Sequence, residues 1–157
     1  MCDYCGCRQS EPFAELSREH SALASLGSEL RGALRDGSEE RARDLLCRIV
    51  EILGSHVRKE ERGLFTRVVD ENDIYEGIVE DLIGEHADLA HTIEHIAEAD
   101  AGWAEAAVGL LEALDEHIFK EEWDLFPAAL GILGFEDLEA IARVHAEEGT
   151  AMEDAAT

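Results

Sequence analysis

The sequence predicts an all-α protein: an up-down-up-down four-helix bundle with an additional short C-terminal helix. Three observations carry that expectation. Apolar residues recur at helical spacing through four long stretches, no stretch shows strand-like alternation or a β-branched run, and the breaks between stretches are short. Short connections make antiparallel neighbours, which gives the bundle its order. A chain of 157 residues fits one domain whose core needs no cross-links.

Residues 1–10 show no periodicity and carry Cys2, Cys5 and Cys7. Ser10 is placed as the cap of a first helix, with Pro12 in the first turn, where a missing N–H costs little. Its inward stripe is Phe13, Leu16, His20, Leu23, Leu30 and Leu34, ending at Asp36-Gly37. Ser38 opens the second helix, with Ala42, Leu45, Ile49, Ile52, His56, Glu60, then Leu64 or Phe65, and Val68 inward. After a break at Asp70-Glu71-Asn72-Asp73, the third presents Ile78, Leu82, His86, Leu89, Ile93 and Ile96. Asp100-Ala101-Gly102 separates it from the fourth, whose stripe is Trp103, Ala107, Leu110, Leu114, His117, Glu121 and Leu125. Pro127 is expected to disturb that helix's end, and Gly131 and Gly134 to stop it. Phe135, Leu138, Ile141, His145 and Met152 make the short last helix. The organisation is thus a Cys-rich segment at 1–10, a bundle at 11–131, and a C-terminal helix and tail at 132–157.

With 37 acidic against 13 basic residues the formal charge is −24, which repels phosphate backbones and anionic membranes and argues against nucleic-acid binding. No apolar run approaches the roughly 20 residues of a membrane span, and the N-terminus lacks the regions of a signal peptide. A soluble cytoplasmic protein, monomer or homodimer, is expected.

Within the second and fourth helices one decapeptide occurs twice, from His56 to Phe65 and from His117 to Phe126, reading His-aliphatic-x-Lys-Glu-Glu-x-x-Leu-Phe. His at i and Glu at i+4 project from one side of a helix, so each copy offers an imidazole and a carboxylate to the same point. The duplication extends to the first and third helices, where Glu19-His20 aligns with Glu85-His86. Each half of the chain is then a hairpin with a lone His on one helix and His-x-x-x-Glu on the other. Packing about a pseudo-twofold axis brings His20, His56, Glu60, His86, His117 and Glu121 together.

Ionisable groups on apolar stripes are expensive to bury unless paired or metal-bound. Six at matching places point to a metal site, with a salt-bridged polar layer of a helical interaction module as the rival. Four nitrogens, two carboxylates and no thiolate disfavour structural zinc. Two carboxylates on opposing helices can bridge two metals, each completed by two His and a shared oxo or hydroxo group. The expected cofactor is two iron ions, with di-manganese or mixed occupancy as alternatives.

The pattern of a lone His followed by His-x-x-x-Glu, twice over, resembles the hemerythrin family, specifically the bacterial and mycobacterial hemerythrin-like HHE cation-binding domains. The resemblance covers roughly residues 11–130. It implies that Glu60 and Glu121 bridge the metals, with His20 and His56 on one and His86 and His117 on the other. In oxygen-carrying hemerythrins a further His lies one turn beyond the residue matching His86; here that position is Ala90. His91 and His95 are rotated by about 140° and 180° from His86 on an ideal helix, and are expected to face solvent. A four-His site favours exogenous ligands and turnover over reversible oxygen carriage. Hemerythrin-like proteins of this kind are associated with peroxide decomposition, NO responses and iron homeostasis, so peroxide, O2 and NO are the expected small-molecule partners. Catalase-like peroxide detoxification leads; an O2, NO or iron sensing module, or iron-centre repair, is the alternative.

Glu61 and Glu122, at i+5, turn about 140° from their His and are read as partners of the ligands or surface groups, with a place as additional ligands as the alternative. Lys59 and Lys120 are read as helix-face salt bridges. His145 is a candidate cap of the bundle's open end, as an additional ligand or proton donor, or else a packed His. Tyr4 and Tyr75 are weaker oxygen donors. Cys2, Cys5 and Cys7 offer a zinc or iron site with an outside ligand, a disulfide, a redox or NO sensor, or a tail without dedicated chemistry. Iron-centre repair proteins resemble this joining of a Cys-bearing segment to a hemerythrin-like domain. Cys47 is expected in the core.

Overall fold

The structure, a computed structural model, describes residues 10–99 and 101–149; Cys2, Tyr4, Cys5, Cys7 and Met152, with what the sequence suggests for them, lie outside that range. Helix α1 (Phe13–Arg35) is followed by α2 (Glu39–Lys59), which runs through a π-helical turn (Glu60–Phe65) into α3 (Thr66–Glu71). A 3-10 turn (Asp73–Tyr75) leads to α4 (Glu76–Glu98). Then come α5 (Trp103–Lys120), a second π turn (Glu121–Leu125), α6 (Phe126–Ile132) and α7 (Phe135–Glu148). No strand occurs among the described residues, and the fold class is all-α, as the apolar spacing predicts. No described helix is long and apolar enough to cross a membrane.

Helix α1 packs chiefly on α2 and α4 on α5, so the bundle is two hairpins, while α7 lies against α2 and the first π turn. At the first reversal Gly37 takes a φ of 69°, the left-handed conformation that only glycine adopts without strain. The Ser38 N–H then donates to the Ala33 carbonyl at 2.9 Å, closing the helix end.

The core is split in two. Leu23, Leu30, Leu45, Ile49, Leu110 and Leu114 belong to one apolar cluster, and Phe13, Leu16, Leu64, Phe65, Leu125 and Phe126 to the other. On each long helix the buried histidine falls between residues of the two clusters. Each such apolar side chain contributes about 1.5–3 kcal/mol on burial. The bundle can therefore carry a polar layer between the clusters.

Four local expectations need correction. Ser10 does not cap α1 through its side chain; the helix starts at Phe13, and the Ser10 carbonyl accepts the Ala14 N–H at 3.0 Å. Pro127 does not break the fourth helix, because it sits in the first turn of α6, immediately after the π turn, where a missing N–H interrupts little. A π turn of the same kind precedes Thr66, so the irregularity belongs to the repeated decapeptide, not to proline. Gly131 lies inside α6, which ends at Ile132. Cys47 is exposed, since Leu45 and Ile49 on either side turn inward and leave the residue between them on the outer face.

Candidate metal centre

Helices α1, α2, α4 and α5 deliver His20, His56, His86 and His117 to the layer between the clusters, and the two π turns begin with Glu60 and Glu121. All six are buried. They form two overlapping groups: His20, His56, Glu60 and Glu121, and Glu60, His86, His117 and Glu121. In each group the potential ligand atoms lie within 4.8 Å of one another. Both carboxylates belong to both groups.

The Nε2 atoms of His20 and His56 are 2.9 Å apart, as are those of His86 and His117. Glu60 places Oε1 3.3 Å from Nε2 of His56 and Oε2 3.4 Å from Nε2 of His86. Glu121 places Oε1 3.3 Å from Nε2 of His117 and Oε2 3.1 Å from Nε2 of His20. Among the described residues, none of these four carboxylate oxygens has a well-directed hydrogen-bond partner.

Every imidazole meets a carboxylate at its other nitrogen. Nδ1 of His56 lies 3.0 Å from Glu19 and Nδ1 of His117 lies 2.9 Å from Glu85, each acid residing on the partner helix of the same hairpin. Nδ1 of His20 lies 3.0 Å from Glu122 and Nδ1 of His86 lies 2.9 Å from Glu61, each acid coming from the opposite hairpin. Ser17 also donates to Glu122 at 2.6 Å. A carboxylate at Nδ1 fixes the proton there and leaves Nε2 as a lone pair. Two lone pairs facing at 2.9 Å, with four carboxylate oxygens lacking donors, require a cation or extra protons between them.

Without a metal, protons take that place. Burial opposes the charged form of His56, but Glu60, Glu19 and Glu121 outweigh it and raise its pKa from 6.5 to about 10. Burial opposes His117 likewise, and Glu121, Glu60 and Glu85 raise it to about 9. His20 is raised against its burial and the neighbouring His56 by Glu121 and Glu122. Glu60, although burial works to raise it, is held well below the usual carboxylate range by His56, His86 and His20. The donor set suits a metal of intermediate hardness, since nitrogen and carboxylate oxygen are its only donor types.

Phe126 stacks on His20 at 5.5 Å between ring centroids, and Phe65 on His86 at 5.7 Å. The Glu at i+5 and the terminal Phe of each decapeptide thus both hold the lone histidine of the other hairpin. The π turns explain how: Glu60, Gly63 and Leu64 share one face on any helix, but Phe65, which a uniform α-helix would turn about 140° from Glu60, is buried with them.

His145 is buried on α7, but its Nδ1 lies 3.0 Å from Glu15 and, among the described residues, its Nε2 has no hydrogen-bond partner and it joins neither ligand group. Lys59 is not a surface group: it is fully buried, donating to Glu15 at 2.7 Å and Glu19 at 2.5 Å, because α7 covers that side. Lys120, its counterpart, is exposed and bonds Glu85. Ala90, His91 and His95 are exposed, and Tyr75 packs against the second apolar cluster. Sequence reasoning missed Glu19 and Glu85 as partners of the ligands, and Phe65 and Phe126 as ring supports. The available signal was that each recurs in both halves.

A helical bundle whose two hairpins pool buried His and Glu clusters able to bind a metal defines a metal-binding bundle protein. The chain belongs to the hemerythrin family: the sequence model described as hemerythrin HHE cation binding domain matches residues 10–129. None of the curated proteins and none of the solved structures gave a match.

Proposed function

We propose that this protein is a non-haem di-iron protein that decomposes peroxide. The carrying observation is the two pairs of facing Nε2 atoms, each 2.9 Å apart, beside four carboxylate oxygens without hydrogen-bond partners among the described residues. Glu60 and Glu121, the only residues common to both ligand groups, would be shared by two metals; His20 and His56 would serve one, and His86 and His117 the other. Bound iron would supply the two-electron redox chemistry of peroxide disproportionation, in which two peroxides give two waters and one O2, one peroxide being oxidised and the other reduced.

The chain's own residues prepare the site. Glu19, Glu122, Glu85 and Glu61 hold each Nδ1 proton and so keep every Nε2 turned inward. Phe65 and Phe126, with Leu64 and Leu125, keep bulk water from the layer. α4 presents no second nitrogen to the layer: Ala90 is exposed and faces away from it, and Leu82, one turn before His86, belongs to the second apolar cluster. A four-His donor set favours exogenous ligands and turnover over storage of O2. Loading the protein with iron and adding peroxide should give O2 in proportion to bound iron, with the optical spectrum recorded before and after; an iron-loaded protein that evolves none overturns the proposal.

A second reading, a sensor of O2, NO or iron without turnover, is favoured by one observation. Hydrogen bonds run from His145 on α7 through Glu15, Lys59 and Glu19 to His56. Stable adducts that change hydrogen exchange in α7 support it, and unchanged exchange removes it.

A further inference from the structure

We propose that the two halves of the centre hold metal unequally, and that Lys59 is the positioning residue that makes the His20/His56 half the retentive one; this rests on the metal-centre reading above. The ligand sets are alike, but what stands behind them is not. The acids on Nδ1 of His56 and His20 are Glu19 and Glu122, whose side chains are 1% and 9% exposed. Those on His117 and His86 are Glu85 and Glu61, which are 27% and 37% exposed. Lys59 is 0% exposed and Lys120 is 47% exposed.

Release of a metal requires an imidazole to leave its ligating orientation. For His56 that movement takes the carboxylate of Glu19 with it or leaves it behind, and Glu19 is tied to Lys59 at 2.5 Å. Lys59 is tied in turn to Glu15 at 2.7 Å, and Glu15 to Nδ1 of His145 at 3.0 Å. Separating Glu19 from Lys59, whose side chains are 1% and 0% exposed, breaks a charged pair in a place water does not reach, which is costly. Around His117 the same displacement exposes Glu85 and Lys120 to water that can replace the lost partner.

The difference originates in α7. It packs beside Gly63, where a Cβ would stand 3.4 Å from Ile141, and Arg58 and Arg62 pair with Glu148 near its end. The decapeptide's second copy has Phe119, Trp123 and Asp124 at these three positions, all exposed.

The test is iron release. Protein loaded anaerobically with iron(II) is mixed with excess of a chromogenic chelator, and equivalents and rates are followed by absorbance. Two phases of about one iron each are expected, with rates differing by about tenfold or more. His117→Ala should retain the slow phase and His56→Ala the fast one. Lys59→Met should accelerate the slow phase by about 10–100-fold and leave the fast phase alone, whereas Lys120→Met should alter either rate by less than about fivefold. Where Lys59→Met does not fold, Glu15→Gln, which weakens the hold on Lys59 at similar shape, should accelerate the slow phase alone. Two irons leaving the unmodified protein in one phase overturn the inference while the metal centre stands, and so does a Lys59 variant that accelerates both phases equally, as a merely structural role would. Failure to bind iron at all overturns the metal-centre reading and this inference with it.

Discussion

The hairpin of α1 and α2 and the hairpin of α4 and α5 carry the same candidate ligands, the same stacked phenylalanines and the same π turn, yet the lysine behind one is buried and the lysine behind the other is exposed. Behind the first, Lys59 and Glu19 are buried, and a half-buried Glu15 links Lys59 to His145 of α7. Behind the second, the equivalent lysine and acid meet solvent, and the face matching the α7 contact carries an exposed Phe119–Trp123 stack. A duplicated sequence therefore does not give duplicated chemistry. One added helix is enough to change the dielectric environment in which identical ligands work.

The largest effect expected on this comparison is one that ignores it. Glu60→Ala and Glu121→Ala each remove a carboxylate common to both groups, so elemental analysis should show both metals lost from either variant; loss of a single metal would make the halves independent. Next comes the loss of one half. His56→Ala and His117→Ala should each reduce bound metal to about half of that in the unmodified protein, while His91→Ala and His95→Ala leave it unchanged; equal losses in all four would refute the assignment of helix faces.

Removal of metal should then lower thermal stability. At free metal about 100 times the dissociation constant the bound state gains about 2.7 kcal/mol, equivalent to about 5–10 °C in a domain of this size. The pH dependence should reverse between the two forms. In the metal-free protein the folded-state pKa values of His56 and His117, about 10 and about 9, lie above the unfolded value of 6.5. Their stabilising contribution is complete below pH 6.5 and is lost as pH rises through 9 to 10. Metal needs the deprotonated ligands, so its binding strengthens over the same range, and thermal midpoints of the two forms should diverge with rising pH. Parallel curves would remove the protons from the metal's place. The smallest effect belongs to the uncovered face: Phe119→Ser with Trp123→Ser should change stability by no more than about 0.5 kcal/mol per site and leave metal content intact, as measured by denaturant midpoint and elemental analysis.

The six converging residues were legible in the sequence because each interrupts an apolar stripe at the phase where a leucine would otherwise sit. The helices were legible for the same reason. Glu19 and Glu85 were not, because a residue one position from the inward phase is buried or exposed according to its neighbour helix, and nothing in its own periodicity records that neighbour. Lys59 and Lys120 show this directly, holding the same place in the repeated decapeptide and differing in burial. The π turns escaped because their hydrogen-bond register leaves no polar signature; Glu61 and Glu122 were legible as partners of candidate ligands, but not which histidine of the other hairpin each one meets. Cys47 was misplaced by weighing residue type above helical phase.

The exchange of supports between hairpins has a consequence for how such a protein can exist at all. His20 depends on Glu122 and Phe126, and His86 on Glu61 and Phe65, so a lone hairpin supplies neither the acid nor the ring for its own unpaired histidine. Two identical hairpins would satisfy each other only as a symmetric pair, each lending what the other lacks. The present chain is such a pair joined end to end. The linkage raises the effective concentration of one half for the other and removes assembly as a separate step. It also frees the halves to diverge, since a helix added to a joined pair need be added only once.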